Sequence, residues 1–327
     1  TYALVAAGGD DGVQIIDISD PSNPVATSSI TDGVGGFDEL DDARDITTVK
    51  IGGQTYALVA AQADDGVQII NISDPSNPVA TSSITDGVGG FDVLDGVKTV
   101  TTTTINGDTY ALVGAINDNG VQIINISDPS NPVATSSITD GVGGFDELSG
   151  SRGITIFKNQ NNTYAFIAAA DDDGIQIINI NDPSNPVATS SITDGVGGFD
   201  DLDDVKAIAI ANIESNNYAF TASNNDDAVQ IININNPSNP TAHSSIKDGV
   251  NGFTELSGAY GITTTTISGD IYILVASIRD DGVQIIKVYT LTDQEQPIII
   301  DPSGSTAASS KLSLQENSKN IHTFTAD

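Results

Sequence analysis

A segment of nineteen residues, DPSNPVATSSITDGVGGFD, occurs four times in this chain without a single change. The identical copies begin at Asp20, Asp74, Asp128 and Asp182. They are 54 residues apart, and a looser fifth copy at 236–254 keeps that spacing. A sixth unit begins at Ile271 and loses the pattern after Thr290. A fixed period of this length is typical of repeat architectures, in which neighbouring units bury each other's apolar faces. The sequence therefore predicts one domain of about six units.

Each unit contains four short apolar runs, and turn residues separate them. In one unit these runs are ARDITTVKI (43–51), TYALVAA (55–61), GVQIINIS (66–73) and PVATSSI (78–84). The Gly-Gly and Asp-Gly pairs between them suit tight hairpins, and the prolines of DPSNP end the third run. Four antiparallel strands per unit without a helical period predict an all-β fold, a six-bladed β-propeller of four-stranded blades.

The predicted propeller extends over residues 1–300 and is followed by a tail, 301–327. The repeats are expected at 1–54, 55–108, 109–162, 163–216, 217–270 and 271–300. The first blade lacks a run equivalent to ARDITTVKI, so one strand edge is left open. QPIIID (296–301) is expected to complete the sixth blade. A later tail strand is expected to pair with the first blade, either in the same chain or in a neighbouring molecule. The candidate residues for that strand are Ile321, Thr323, Phe324 and Thr325.

The repeated core resembles a known family. DDGVQIINISDPSNPV is similar to the units of the LVIVD-repeat β-propellers, a family of secreted and cell-surface proteins, and the match extends from Thr1 to about Tyr289. The loop TDGVGGFDELD is longer than that of the usual unit. The resemblance implies the fold and an extracellular or cell-surface location, but no shared enzymatic activity. The tail, LSLQENSKNIHTFTAD (312–327), resembles the opening strand of cadherin-like or immunoglobulin-like modules.

Charge and composition restrict the partners. The chain has 11 lysines and arginines against 44 acidic residues, a formal net charge of −33. This charge repels nucleic acids and anionic membranes, so neither is an expected partner. Because there is no cysteine, disulfides and zinc–thiolate sites are excluded. No run approaches the roughly 18 apolar residues of a membrane helix, so direct membrane insertion is not expected.

Acidic residues are the one recurring group with metal-binding chemistry. The second hairpin of a blade and the loop to the next blade are expected on the same face, so their carboxylates meet there. Hard cations such as Ca²⁺ bind six to eight oxygen atoms. Two interpretations stay open: a solvated acidic face, or calcium sites. The candidate ligands are Asp10, Asp11, Asp32, Asp38, Asp64, Asp65, Asp86, Asp92, Asp118, Asp140, Asp146, Asp172, Asp173, Asp194 and Asp200. No other cofactor is predicted.

Catalytic groups are scarce, so we expect no enzyme. The only histidines are His243 and His322, and His243 stands beside Ser244 and Ser245 where the other units carry threonine. A catalytic triad requires such groups to converge at one place. A solvent-facing substitution is the simpler interpretation. Three glycosylation sequons, at Asn71, Asn125 and Asn161, would be used only on an exposed surface of a secreted chain.

Near-identical units present one surface several times, which suits multivalent contact. We therefore expect a non-enzymatic extracellular structural or adhesive module, in a homopolymeric fibre or surface layer. Its partners would be further copies of itself or neighbouring domains of a larger surface protein. The alternative is a propeller that binds carbohydrate or Ca²⁺ on its acidic loop face. For carbohydrate the recurring aromatic residues are Phe37, Phe91, Phe145, Phe199 and Phe253, which serve either as stacking surfaces or as anchors for the loop.

Overall fold

The fold follows from a computed structural model, which describes residues 1–159, 162–289 and 298–301. All regular elements in this part of the chain are β-strands. Among the same residues there is consequently no helix of the length and apolarity needed to cross a membrane.

Twenty-three strands follow one another in six sheets. The first sheet contains β1 (Tyr2–Ala7), β2 (Gly12–Asp17) and β3 (Val25–Thr31). The second contains β4 (Ala43–Ile51), β5 (Gln54–Ala61), β6 (Gly66–Asn71) and β7 (Val79–Thr85). The third contains β8 (Val97–Ile105), β9 (Asp108–Ala115), β10 (Gly120–Asn125) and β11 (Val133–Thr139).

The other three sheets repeat this arrangement. The fourth contains β12 (Ser151–Lys158), β13 (Thr163–Ala169), β14 (Gly174–Asn179) and β15 (Val187–Thr193). The fifth contains β16 (Val205–Ile213), β17 (Asn216–Ser223), β18 (Ala228–Asn233) and β19 (Thr241–Lys247). The sixth contains β20 (Ala259–Ile267), β21 (Asp270–Ser277), β22 (Gly282–Tyr289) and β23 (Ile298–Asp301).

Each sheet is one blade, an antiparallel meander in chain order. The first strand of a blade lies at the centre of the ring: β4 contacts β8, β8 contacts β12, β12 contacts β16 and β16 contacts β20. We call these five the inner strands. The last strand of a blade is the outer strand at the perimeter, and β3, β7, β11, β15 and β19 each end their sheet. The predicted six-bladed propeller is confirmed.

The two ends of the described chain differ in how their blades are completed. β23 pairs with β22, with Val288 opposite Ile299, so the segment expected to complete the sixth blade does so. The first blade has three strands, and no described strand pairs with the free edge of β1. In the other blades an inner strand pairs with the strand that is equivalent to β1. The prediction of four strands per blade therefore holds for five blades. In the first blade the described strands are three, β1, β2 and β3.

The predicted tail strand with Ile321, Thr323, Phe324 and Thr325 lies outside the described residues, as does His322. The division into a propeller over 1–300 and a tail over 301–327 stays a prediction.

The core lies between adjacent blades. Middle strands such as β9 and β10 are apolar on both faces, and nearly all of their residues are buried. One cluster joins Leu112 and Val121 of the third blade to Ile154 and Ala165 of the fourth. Burial of each large aliphatic side chain contributes about 1.5–3 kcal/mol relative to exposure. The repeated interfaces therefore hold the blades together around the ring.

A hydrogen bond also links four of the outer strands to the next blade. The serine hydroxyl in the middle of the outer strand donates to a proline carbonyl in the DPSNP turn of the following unit, at 2.7 Å in each case. The four pairs are Ser28–Pro75, Ser82–Pro129, Ser136–Pro183 and Ser190–Pro237. The copied segment thus contains both halves of a contact between blades.

Candidate functional site: the acidic loop face

One face of the ring carries the loops between blades and the turns between the second and third strands; we call it the loop face. The loops are 32–42, 86–96, 140–150, 194–204 and 248–258, and the turns are 8–11, 62–65, 116–119, 170–173, 224–227 and 278–281. The two groups contact each other directly, since Asp42 N donates to Asp11 Oδ1 at 3.1 Å. The expectation that they share a face is therefore correct.

Aspartates hold each loop in place through backbone amides. At the first junction Asp32 Oδ1 accepts from Leu40 N at 3.0 Å, and Asp64 Oδ2 accepts from Asp41 N at 2.8 Å. The same bonds recur at the later junctions, with Asp86, Asp140, Asp194 and Asp248 in the first role and Asp118, Asp172, Asp226 and Asp280 in the second. Asp65, Asp173 and Asp227 take the role of Asp11. A carboxylate that accepts a backbone hydrogen bond satisfies a donor that would otherwise be costly to bury.

The candidate calcium ligands thus divide into two sets. Asp11, Asp32, Asp64, Asp65, Asp86, Asp118, Asp140, Asp172, Asp173 and Asp194 bind loop backbone. Asp10, Asp38, Asp92, Asp146 and Asp200 are exposed. Over the ranges that the structure describes, no three or more acidic or histidine side chains form a group able to hold a metal ion.

Buried glutamates are a feature of this face that the sequence analysis missed. Glu39 and Glu147 have exposed fractions of 5% and 7%, and in each carboxylate one oxygen, Oε2, has no hydrogen-bond partner. The pKa of both is raised to about 7, mainly by burial and also by the neighbouring aspartates, although Thr85 and Thr193 donate to the other oxygen and oppose the shift. The recurrence of an acid directly after GGFD was the signal that could have located them.

The equivalent position varies at the other junctions. The second junction has Val93, which is buried and uncharged. The fourth has Asp201, whose carboxylate forms an ion pair with Lys247. This lysine stands where the first and third junctions have Thr85 and Thr193. Glu39, Glu147 and Asp201 therefore each have a local hydrogen bond or counter-charge, as the cost of burying a charged group requires.

The recurring phenylalanines are anchors for the loop. Phe91, Phe199 and Phe253 are buried, while Phe37 and Phe145 pack against the core clusters. The phenylalanine carbonyl accepts a hydrogen bond from the loop glycine, as in Gly33 N to Phe37 O at 2.7 Å. Because their rings are packed inward, they offer no aromatic platform for a sugar.

The remaining site candidates lie on strands. Asn71 Oδ1 and Asn125 Oδ1 accept from Ser73 N and Ser127 N at 3.0 and 2.9 Å, and both side chains are half-buried. Asn161 lies outside the described residues. His243 is half-buried on β19, with its ring 5.3 Å from that of Tyr218.

Fold and repeats together define a repeat-built β-propeller. The family model described as "LVIVD repeat" matches residues 1–32, 43–86, 105–140, 161–194 and 211–248, more than half of the chain. The chain belongs to this family. No curated protein sequence matches it significantly.

Several solved structures have a similar fold. A functionally unknown protein from Desulfotomaculum acetoxidans is 15% identical, with a TM-score of 0.60 over 87% of this chain and 78% of that one. The periplasmic gluconolactonase of Pseudomonas aeruginosa is 10% identical, with a TM-score of 0.60 over 88% and 77%. A putative 6-phosphogluconolactonase from Bacteroides uniformis is 11% identical, with a TM-score of 0.54 over 92% and 96%. At these identities the similarity concerns the fold alone.

Proposed function

We propose that this propeller is a non-enzymatic structural or adhesive module, extracellular or on a cell surface, that associates with copies of itself in a fibre or surface layer. The supporting observation is the position of the copied sequence in each blade. The nineteen identical residues form the turn before the outer strand, the outer strand itself and the start of the loop. The perimeter of the ring is therefore uniform, while the inner strands differ from blade to blade.

The uniform perimeter carries exposed apolar side chains on edge strands. Val25, Val79, Val133 and Val187 begin the outer strands and are 54–60% exposed. An edge strand offers unpaired backbone groups to another chain, and a single apolar residue beside it adds contact area. Four equivalent positions around one ring would multiply a weak contact, because binding at one position raises the effective concentration at the others.

The free edge of β1 supports a second mode of association. By the pattern of the other blades, a strand paired with β1 would lie between β20 and β4 and complete the ring of inner strands. A tail strand from a neighbouring molecule would fill this position and link the molecules by strand addition. A tail strand from the same molecule would instead close the ring.

Two of the similar structures are named as lactonases, but fold similarity at 10–11% identity carries no activity to this chain. An enzyme requires one locally unique set of groups. The perimeter and the loop face instead supply the same groups several times.

The perimeter mode is tested by light scattering on the full chain over a concentration series. Replacing Val25, Val79, Val133 and Val187 by serine is expected to lower the average mass at high concentration. The matched control replaces the four exposed loop valines, Val34, Val88, Val142 and Val196, by serine and should leave the mass unchanged. A wild-type chain that is monomeric at every concentration would overturn the proposal. If both variants lowered the average mass equally, the perimeter valines would have no specific role in the association.

A further inference from the structure

Basic side chains gather at the loop-face end of the inner strands. The second residue of four inner strands is basic: Arg44, Lys98, Arg152 and Lys206. We call them the basic ring. They are 54 residues apart and are four of only 11 lysines and arginines in a chain of net charge −33. More than a third of the positive charge is thus placed at one structural position.

The four basic residues occupy the same position on successive inner strands. The pKa of Lys98 is lowered to about 8, mainly by burial and also by the positive charges of Arg44, Arg152 and Lys206. Arg44 and Arg152 lie on the strands next to β8, but Lys206 lies two blades away on β16. The inner strands that carry these residues contact one another in turn, β4 with β8, β8 with β12 and β12 with β16. Because the blades of a propeller surround a central channel, the basic ring lies at the loop-face end of that channel.

Carboxylates compensate only half of this charge. Arg44 Nη2 lies 2.6 Å from Asp42 Oδ2, and Lys206 forms an ion pair with Asp204. At the equivalent loop positions Lys98 and Arg152 have Gly96 and Gly150. No carboxylate in the described residues lies within 4.0 Å of either basic group.

Lys98 and Arg152, which have no carboxylate partner, still have N–H groups that a ligand could bind. Lys98 Nζ donates to Gln62 Oε1, which is a neutral acceptor. Arg152 Nε is buried and has no hydrogen-bond partner among the described residues. A buried charged donor without an acceptor is unfavourable unless water or a ligand supplies one.

We infer that the basic ring is a binding site for a small oxyanion of two or more negative charges, held at the channel mouth mainly by Arg152 and Lys98. Phosphate and sulfate are the chemical class that suits it. Arginine binds such anions through several N–H groups in one plane, and lysine adds a compact charge. Arg44 and Lys206 raise the local potential although each has a carboxylate partner.

The internal pattern of the repeats supports a single site. The perimeter segment is identical in four units, but the inner strands read ARDITTVKI, VKTVTTTTI, SRGITIFK, VKAIAIANI and AYGITTTTI. In the last of these Tyr260 replaces the basic residue. The centre is thus the part of the ring where the blades differ, as one asymmetric ligand requires. This site does not depend on self-association.

The direct test is calorimetric titration of the full chain with inorganic phosphate, and separately with sulfate, at constant ionic strength set by chloride. We expect saturable binding of one anion per chain. Arg152→Gln and Lys98→Gln should each weaken it roughly tenfold to a hundredfold, the range for loss of a charge-assisted hydrogen bond.

The matched control is Lys50→Gln, which removes an exposed positive charge from the far end of β4. It should change the affinity less than about twofold. Arg152→Lys, which keeps the charge, should bind with intermediate affinity and serves if Arg152→Gln does not fold. Absence of saturable binding by the wild-type chain at an anion concentration on the order of ten millimolar would overturn the inference. Equal weakening by Lys50→Gln would do the same, because it would show binding to net charge alone.

Discussion

Glu39 Oε2 fills the space that a Cβ atom on Gly66 would need. Glu39 belongs to the loop that enters the second blade, and Gly66 begins the third strand of that blade. The third and fifth junctions repeat this close approach with Glu147 and Gly174, and with Glu255 and Gly282. At the fourth junction the acid is shortened to Asp201 and the glycine becomes Ala228. The length of the acidic side chain and the residue opposite it therefore change together: glutamate occurs with glycine, and aspartate with alanine.

This relationship predicts the effect of adding one methyl group. Gly66→Ala should destabilise the chain by about 1–3 kcal/mol, because the added Cβ meets both the buried carboxylate of Glu39 and the carbonyl oxygen of Ile84. Combining it with Glu39→Asp should recover part of the loss, as the pair Asp201 and Ala228 does at the fourth junction. Urea unfolding of the wild type, both single variants and the double variant measures the coupling between the two sites. Strictly additive effects would show that the side chains do not compete for the space.

The buried glutamates predict a stability that falls as the pH rises. The pKa of Glu39 and Glu147 is about 7 in the folded chain, against an ordinary value of 4.5. An acid with a raised folded pKa stabilises the fold fully below its unfolded pKa, and this contribution is lost as the pH rises through the folded pKa. The free energy of unfolding should therefore decrease between about pH 4.5 and pH 8, by up to roughly 3 kcal/mol for each glutamate.

The neighbouring carboxylates act in the same direction. Asp32, Asp38 and Asp64 face Glu39, and burial raises the pKa of Asp64 too. Glu39→Gln combined with Glu147→Gln should flatten the pH dependence, whereas Glu214→Gln in an exposed turn should not. Denaturant unfolding at a series of pH values tests this. An unchanged slope in the double variant would contradict the assigned role of the two buried carboxyl groups.

The sequence predicted most of the fold because its strongest signals are local and repeated. The 54-residue period, the glycine turns and the DPSNP breaks specify strands and blades without knowledge of tertiary contacts. The resemblance to the LVIVD-repeat family predicted the same fold. The described part of QPIIID, Ile298–Asp301, was also correctly assigned to the sixth blade, since an apolar run after β22 can join the free edge of that strand.

The site was harder to predict because function and structure use the same residue types. Ten of the candidate calcium ligands bind loop amides. Some of these bonds join residues 23 or 31 positions apart in the sequence, such as Asp64 with Asp41 and Asp11 with Asp42. The basic ring was overlooked because each member is a single residue in an acidic chain. The four residues come together only because the inner strands β4, β8, β12 and β16 contact one another in turn at the centre of the ring.

The hydrogen bonds between blades predict a modest and specific cost. Ser82 Oγ donates to Pro129 O at 2.7 Å, from the outer strand of one blade to the turn of the next. Ser82→Ala should lower the free energy of unfolding by about 1 kcal/mol, because it leaves a partly buried carbonyl without its donor. Ser83→Ala changes an exposed neighbour on the same strand and should cost little. Thermal and urea unfolding compare the two; equal losses would assign the effect to the strand rather than to the bond.

The open edge of β1 is the feature on which strand exchange depends, and the mass of the protein in solution tests it most directly. Light scattering should compare the full chain with a chain that ends at Asp301, which keeps β23 in the sixth blade. Strand donation predicts large species that grow with concentration for the full chain and a monomer for the truncated chain. A full chain that stays monomeric, with a truncated chain that is monomeric and clearly less stable, would contradict strand exchange and show that the tail closes its own ring.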